Sequence, residues 1–155
     1  PPNAPRRVLV LVGSANHVSH AQCEALAAAG ASVADRAEGI VTTAPIACIH
    51  ATRTRTADPS KVLSALVEEA EVALSRRCYD AIIATGGETM SALMDRLSIH
   101  AFNLTHELEP GFPLGCTRLA NGRTMLLAMK AGGFGSVMTL CNAANAILQI
   151  GGKPA

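Results

Sequence analysis

The sequence predicts an α/β fold in which helices cover both faces of a mainly parallel sheet. Three apolar runs, at residues 8–12, 81–84 and 124–129, have the length of strands and lack polar alternation, which is typical of strands buried on both faces. A glycine-containing turn and a segment with helical spacing follow each run. This repetition predicts a layered α/β/α domain with glycine-rich strand-to-helix turns.

The first half of the chain contains two predicted helices. Ser19 is expected to cap a helix over residues 20–29, and Gly30 to end it. Asp58 followed by Pro59 predicts the start of a longer helix that runs to residues 76–77. Between the two helices the sequence predicts a short strand and two extended segments, at residues 31–34, 39–44 and 47–51.

In the second half, a helix with Met90 and Leu93 on its apolar face directly follows the strand at 81–84. A strand is predicted at residues 101–104, and the Pro- and Gly-rich residues 107–113 predict a loop. Gly122 is placed in a turn before the third apolar run. The last helix is expected at residues 137–148.

Composition narrows the class of protein. The 155 residues correspond to about one domain. The net charge is +1 and only 3% of the residues are aromatic, which argues against nucleic-acid binding. Apolar runs are too short for a membrane span. Five scattered cysteines and no signal peptide predict reduced thiols in a cytoplasmic protein.

Polar and glycine residues cluster where the three apolar runs end. These ends are Gly13 with Ser14, residues 85–89, and residues 130–136. Glycines before a helix let a ligand approach the backbone, and the helix start offers unpaired N–H groups, so the combination favours phosphate. Because ligands of open α/β sheets bind at the carboxyl ends of the strands, the three ends are expected to face one crevice.

Several alternatives stay open on these residues. The glycines could serve only tight turns, and Glu88 could only favour the helix dipole. Neither a P-loop nor a completed G-x-G-x-x-G motif is present, which argues against a nicotinamide-dependent oxidoreductase. His17 and His20 have no third ligand nearby, so no protein metal site is predicted.

Four segments in order resemble the carboxy-terminal nucleotide-binding domain of the four-carbon acid sugar kinases, the threonate, erythronate and 3-oxo-tetronate kinases. They are residues 10–22, 84–89, 107–114 and 130–135. The last three are similar to the family's Gly-Gly-Glu/Asp-Thr, Glu-x-x-Pro-Gly-x-Pro and Lys-Ser-Gly-Gly/Asn-Phe-Gly motifs. The departures are Val12 for Ser, Ser19 for Thr and Ala131 for Ser.

The resemblance implies an ATP-dependent kinase that phosphorylates the terminal hydroxyl of a four-carbon sugar acid. It implies that Mg²⁺ arrives with the ATP phosphates, near Glu88, and that the acceptor site and the catalytic base lie on an amino-terminal domain. The nucleotide site is then expected to comprise Ser14, Gly86, Gly87, Glu88, Thr89, Gly111, Lys130, Gly132, Gly133 and Gly135.

Residues 1–6, rich in proline and without an initial Met, are interpreted as the remnant of an interdomain linker, and residues 7–155 as the nucleotide-binding domain. Such a domain is expected to be inactive alone. The alternative is a non-catalytic α/β module that binds a small metabolite or a partner chain. The oligomeric state is left open, a homo-oligomer included.

Overall fold

The computed structural model describes residues 6–13, 16–51 and 58–150. Within these ranges seven strands form one sheet in the order β2-β3-β1-β4-β7-β6-β5. The strands are β1 Val8–Val12, β2 Ser32–Ala34, β3 Ile46–His50, β4 Ala81–Thr85, β5 Asn103–Glu109, β6 Phe112–Arg118 and β7 Thr124–Lys130. The helices are α1 His17–Ala28, α2 Pro59–Arg76, α3 Gly87–Arg96 and α4 Thr139–Ile150, with a short 3-10 turn at Ala37–Gly39. None of the helices in these ranges is both long and apolar enough to cross a bilayer.

The predicted α/β/α layering is confirmed. Strands β2, β3, β1, β4 and β7 are parallel to one another. Alternate side chains of each central strand enter opposite cores. In β1, Leu9 and Leu11 pack in the core that α2 and α3 cover, whereas Val8 and Val10 pack in the core that α1 and α4 cover. Burial on both faces explains why these strands are uninterrupted apolar runs.

The predicted loop at residues 107–113 is wrong. These residues belong to an antiparallel hairpin, in which β5 pairs with β6 and β6 pairs with β7. The register of β5 shifts twice, and Pro113 stands in β6 opposite Glu107. Proline and glycine predicted a loop here, but burial of Phe112 and Leu114 against the sheet outweighs the hydrogen bond that Pro113 cannot donate.

The predicted helix ends are confirmed in part. Asp58 caps α2 by accepting a hydrogen bond from the backbone N–H of Ser60 at 3.0 Å, and Gly30 follows α1 with a φ of 98°. Ser19 is not the cap of α1. The helix begins earlier, because the Asn16 side chain accepts a hydrogen bond from the Ser19 N–H at 2.8 Å.

One extended segment predicted in the first half is also wrong. Residues 39–44 form no strand, and a 3-10 turn at Ala37–Gly39 leads into them. The backbone N–H of Ala37 is held by the carboxylate of Glu69 on α2, at 2.8 Å. Ala37 and Ile40 are buried in the α2–α3 core, so the segment packs over the sheet and does not extend it.

Candidate functional site

The three predicted strand ends meet at the centre of the sheet. Val12 is in register with Thr85, and Thr85 with Lys130. The chain leaves β1 and β7 toward α1 and α4 on one face and leaves β4 toward α3 on the other. Neighbouring strands whose connections depart to opposite faces leave a crevice at their carboxyl ends. The three strand ends that the sequence predicted to face one crevice therefore lie side by side at this edge of the sheet.

The first glycine turn begins α3 at this crevice. Gly86 has a φ of 92°, a region that L side chains rarely adopt, and it precedes the first helical residue, Gly87. Gly87 is exposed, and a Cβ placed on it would meet no atom within 4 Å. Glu88 is exposed in the first turn of the helix. An approaching anion would therefore find open space over the positive end of the α3 dipole.

Unlike the three residues before it, Thr89 does not lie at the surface of the turn. It is buried, and its hydroxyl lies where a Cβ on Gly13 would stand. The end of β1 and the start of α3 are in contact at this point, which only a glycine at position 13 permits. Thr89 thus packs the start of α3 against the end of β1, whereas Gly86, Gly87 and Glu88 lie at the surface.

The second glycine turn is organised around Lys130, whose side chain is fully buried. Its ammonium donates to the carbonyl oxygens of Ala131 at 2.8 Å, Gly132 at 3.0 Å and Phe134 at 3.1 Å. Burial lowers the pKa of Lys130, and the nearby Cys23 acts weakly in the other direction. The sequence predicted a lysine beside the phosphates, and the structure places its ammonium beneath the loop, on the loop's own carbonyls.

These three bonds orient the loop amides. In a planar trans peptide the carbonyl oxygen and the N–H of the next residue point in opposite directions. Carbonyls turned toward the ammonium therefore turn the N–H groups of Gly132, Gly133 and Gly135 away from it. Gly133 and Gly135 are exposed and Gly132 is partly exposed. Successive backbone N–H groups on one side of a loop form an anion-binding concavity.

Helix α1 holds the same loop from a second direction. Ser19 donates its hydroxyl to the Gly132 carbonyl at 3.0 Å. Gln22 donates its amide to the carbonyls of Phe134 at 3.2 Å and Ser136 at 2.7 Å. Both side chains are fully buried. Sequence reasoning missed them as site residues, although both lie in the stretch that carries the family resemblance, three residues apart on the same face of a helix.

Gly111 reaches the crevice through the hairpin. It lies in the turn between β5 and β6 with a φ of 87°, and its Cα faces the Phe134 ring, which a Cβ would meet at 3.2 Å. Because β6 runs antiparallel to β7, this turn lies beside the end of β7. The remaining predicted residue, Ser14, lies outside the described residues.

A cavity of about 290 Å³ lies between α1 and the ends of β1 and β3. Its wall includes Val12, Ser19, Cys23 and Val33, and His50 at the end of β3. Ser19 thus lines this cavity and also bonds the Gly132 carbonyl of the loop.

The fold and these turns define a class: an α/β domain with two glycine-rich turns and exposed backbone at the carboxyl edge of its parallel strands. Residues 35–140 match the family described as the nucleotide-binding C-terminal domain. The chain belongs to this family, the C-terminal domain of the four-carbon acid sugar kinases, so the family predicted from the motifs is confirmed.

Two curated relatives are kinases. The chain is 42% identical over 69 residues to D-threonate kinase of Cupriavidus necator, which is 44% of this chain and 17% of that protein. It is 36% identical over 115 residues to 3-oxo-tetronate kinase of Methylobacterium radiotolerans, which is 72% of this chain and 27% of that protein. The chain therefore spans a small part of the length of either relative.

Solved structures share the fold. A domain of unknown function from Bordetella bronchiseptica, a domain-swapped dimer with bound citrate, superposes with a TM-score of 0.79 at 28% identity, over 94% of this chain and 40% of that one. A Haemophilus influenzae protein superposes with a TM-score of 0.67 at 19% identity, over 94% and 41%. The second likeness concerns the fold alone.

Proposed function

We propose that this chain is the ATP-binding part of a kinase that phosphorylates the terminal hydroxyl of a four-carbon sugar acid. The observation that carries the proposal is the orientation of the Gly132, Gly133 and Gly135 amides. The bonds made by Lys130 turn them away from the protein interior, beside the open start of α3 at Gly87. The loop amides and the start of α3 provide two sets of backbone N–H donors at the same edge of the sheet, which suits the binding of consecutive phosphates.

The described residues fit a nucleotide bound with Mg²⁺. The amides of the two turns would hold the phosphates, and exposed Glu88 would face a metal carried by those phosphates. When bound, Mg·ATP supplies the transferable phosphoryl group and a metal that neutralises its charge. The domain itself would hold the phosphates in the alignment that the transfer requires, because phosphoryl transfer depends mainly on positioning and electrostatics.

The acceptor is proposed from the relatives. Two of them are named for D-threonate and 3-oxo-tetronate, so a four-carbon sugar acid is the substrate class that we propose. The chain covers 17% and 27% of those proteins, and we assign the acceptor site and the catalytic base to a further domain of the longer protein. The cysteines of the described residues are free, which suits a cytoplasmic enzyme.

Calorimetric titration of the chain with Mg·ATP tests the nucleotide assignment. We expect binding by the parent chain and by Ala120→Val, an exposed substitution in the turn between β6 and β7. Gly87→Val should weaken binding by about tenfold or more, since its side chain would occupy the open space over the start of α3. A folded Gly87→Val variant that binds Mg·ATP as the parent does would place the nucleotide elsewhere.

The acceptor needs a separate assay. The longer protein that contains this chain, incubated with Mg·ATP and a panel of four-carbon sugar acids, should produce ADP and a phosphorylated acid with one of them. The domain alone should produce little. ADP release without any of these acids as acceptor would contradict the proposed substrate class, and a domain that binds a metabolite but no nucleotide would favour the non-catalytic module.

A further inference from the structure

The glycine-rich motif that begins with Lys130 does not show what the lysine contacts. A lysine directly before a glycine-rich loop suggests a cation that contacts the phosphate. In the structure its ammonium lies on the other side of the loop backbone from the exposed glycine amides. Lysine has three N–H donors, and three loop carbonyls receive them.

We propose that Lys130 is a positioning residue, whose buried ammonium holds the peptide planes of residues 131–135 so that the amides of Gly132, Gly133 and Gly135 converge on a phosphate that Lys130 itself does not touch. The proposal rests on the proposed function for the identity of the ligand. The orientation of the loop by Lys130 is independent of it.

The pattern of acceptors supports this role. The three carbonyls bound by Lys130 belong to the three peptide units whose N–H groups are those of Gly132, Gly133 and Gly135. Two of the same carbonyls receive a second bond from α1, Gly132 from Ser19 and Phe134 from Gln22. The neutral side chains of Ser19 and Gln22 thus bind the same carbonyls as the charged Lys130. This is expected if the common role of the three residues is to orient the loop backbone.

The burial of the Lys130 ammonium also supports a positioning role. Lys130 is fully buried, and a buried ammonium must be compensated by hydrogen bonds. Carbonyl dipoles provide that compensation in the structure. Contact with a phosphate would require the ammonium to leave at least one of these acceptors and pass the loop backbone, so the buried charge would lose part of the compensation that it needs.

Gln22 offers a matched variant without charge. Gln22→Leu removes the bonds to Phe134 and Ser136 but takes no positive charge from the crevice. Lys130→Met removes the bonds and the charge together, at similar side-chain length. Arg76→Met, exposed near the end of α2, removes a charge at the opposite edge of the sheet. If Lys130 positions the loop, Lys130→Met and Gln22→Leu should both perturb loop amides and weaken binding, and Arg76→Met should do neither.

The first measurement needs no nucleotide. Amide hydrogen exchange and amide chemical shifts of Gly132, Gly133 and Gly135 are compared in the ligand-free chain. We expect Lys130→Met to shift all three amides and raise their exchange rates by about tenfold or more, and Gln22→Leu to affect Gly135 most. Unchanged loop amides in a folded Lys130→Met variant would overturn the proposal.

The second measurement is the affinity for Mg·ATP. Both variants should bind about tenfold or more weakly, while Arg76→Met binds as the parent does. Loss of affinity in Lys130→Met with an unperturbed ligand-free loop and a normal Gln22→Leu variant would mean that Lys130 contacts the phosphate directly. A parent chain that shows the loop effects but no Mg·ATP binding would refute the proposed function and leave the positioning role intact.

A third measurement keeps the proposal testable if Lys130→Met does not fold. The ¹⁵Nζ resonance of Lys130 in the parent chain is followed while Mg·ATP is added. A residue that remains on the loop carbonyls should change little, whereas the amide resonances of the three glycines should move with saturation. A large shift at Nζ with small shifts at the glycine amides would overturn the proposal.

Discussion

The backbone N–H of Gly86 donates to the carbonyl oxygen of Lys130 at 2.7 Å. This bond continues the pairing of β4 with β7 by one residue beyond Thr85, and it joins the two glycine-rich turns at their bases. The turn that begins α3 and the loop held by Lys130 are therefore parts of one rigid edge. A ligand that spans them meets donors whose separation is set by the sheet.

Substitution of the two adjacent glycines should separate backbone strain from steric access. Gly86→Ala places a Cβ at a φ of 92°, which we expect to cost about 1–3 kcal/mol of unfolding free energy. Gly87→Ala meets open space without a positive φ and should change that free energy by less than about 1 kcal/mol. Urea denaturation of both variants measures the difference. Equal stability of the two would contradict the assigned backbone geometry.

The contact of Gly13 with Thr89 predicts a coupled pair. Gly13→Ala should destabilise the chain by about 1–3 kcal/mol because its Cβ would overlap the Thr89 hydroxyl. Thr89→Ala removes that oxygen, so the double variant should be less destabilised than the sum of the two single variants. A double-mutant cycle in urea provides the coupling free energy. Strict additivity would show that the two residues are not in contact.

The lowered pKa of Lys130 predicts opposite pH responses of affinity and stability. A neutral amine has fewer N–H groups and cannot serve all three carbonyls, so the affinity for Mg·ATP should fall as the pH rises through the lowered pKa. Between that pKa and the ordinary value the unfolded chain binds more protons. The unfolding free energy that Lys130 contributes should therefore rise with pH in the same window.

Calorimetry and urea denaturation from neutral pH to about pH 10, where an unperturbed lysine begins to lose its proton, measure both responses. The matched control is Lys130→Met, in which both pH-dependent components should be absent. A loss of affinity that persists unchanged in Lys130→Met must come from another group.

The cysteines should differ widely in reactivity. Cys78 is exposed, whereas Cys23, Cys48 and Cys141 are buried. The contact with the Cys23 sulfur at 4.0 Å, together with burial, raises the pKa of Cys48, and burial raises the pKa of Cys141. Since the thiolate is the nucleophile, we expect N-ethylmaleimide to label Cys78 first.

Mass spectrometry of the labelled peptides checks the order. The half-buried Cys116 should follow Cys78, and the three buried thiols should react only when urea unfolds the chain. Rapid native labelling of Cys48 would show that the α1 face of the sheet opens readily, contrary to the packing of the core.

Much of the fold was predictable because its determinants are local. The central strands are buried on both faces and so appear as short apolar runs, and Asp58 with Pro59 marks a helix start by the chemistry of its own first turn. The hairpin was not predictable in the same way. The side chains of β5 are mostly exposed and show no alternation, and Pro113 and Gly111 resemble a loop until β7 is available as a pairing partner.

The candidate site shows the same difference between local features, which the sequence predicts, and long-range contacts, which it does not. The positions of the glycines and the lysine after the strand ends could be predicted from neighbouring residues, because glycine acts through its own backbone freedom. The order of the motifs predicted the family. The contacts of each group, in contrast, depend on how the whole chain folds. The direction of the Lys130 ammonium depends on carbonyls folded over it and on Ser19 and Gln22, which lie more than a hundred residues earlier in the chain. Contacts over such a separation exist only once the sheet brings β1 and β7 to either side of β4, so a pattern in neighbouring residues does not encode them.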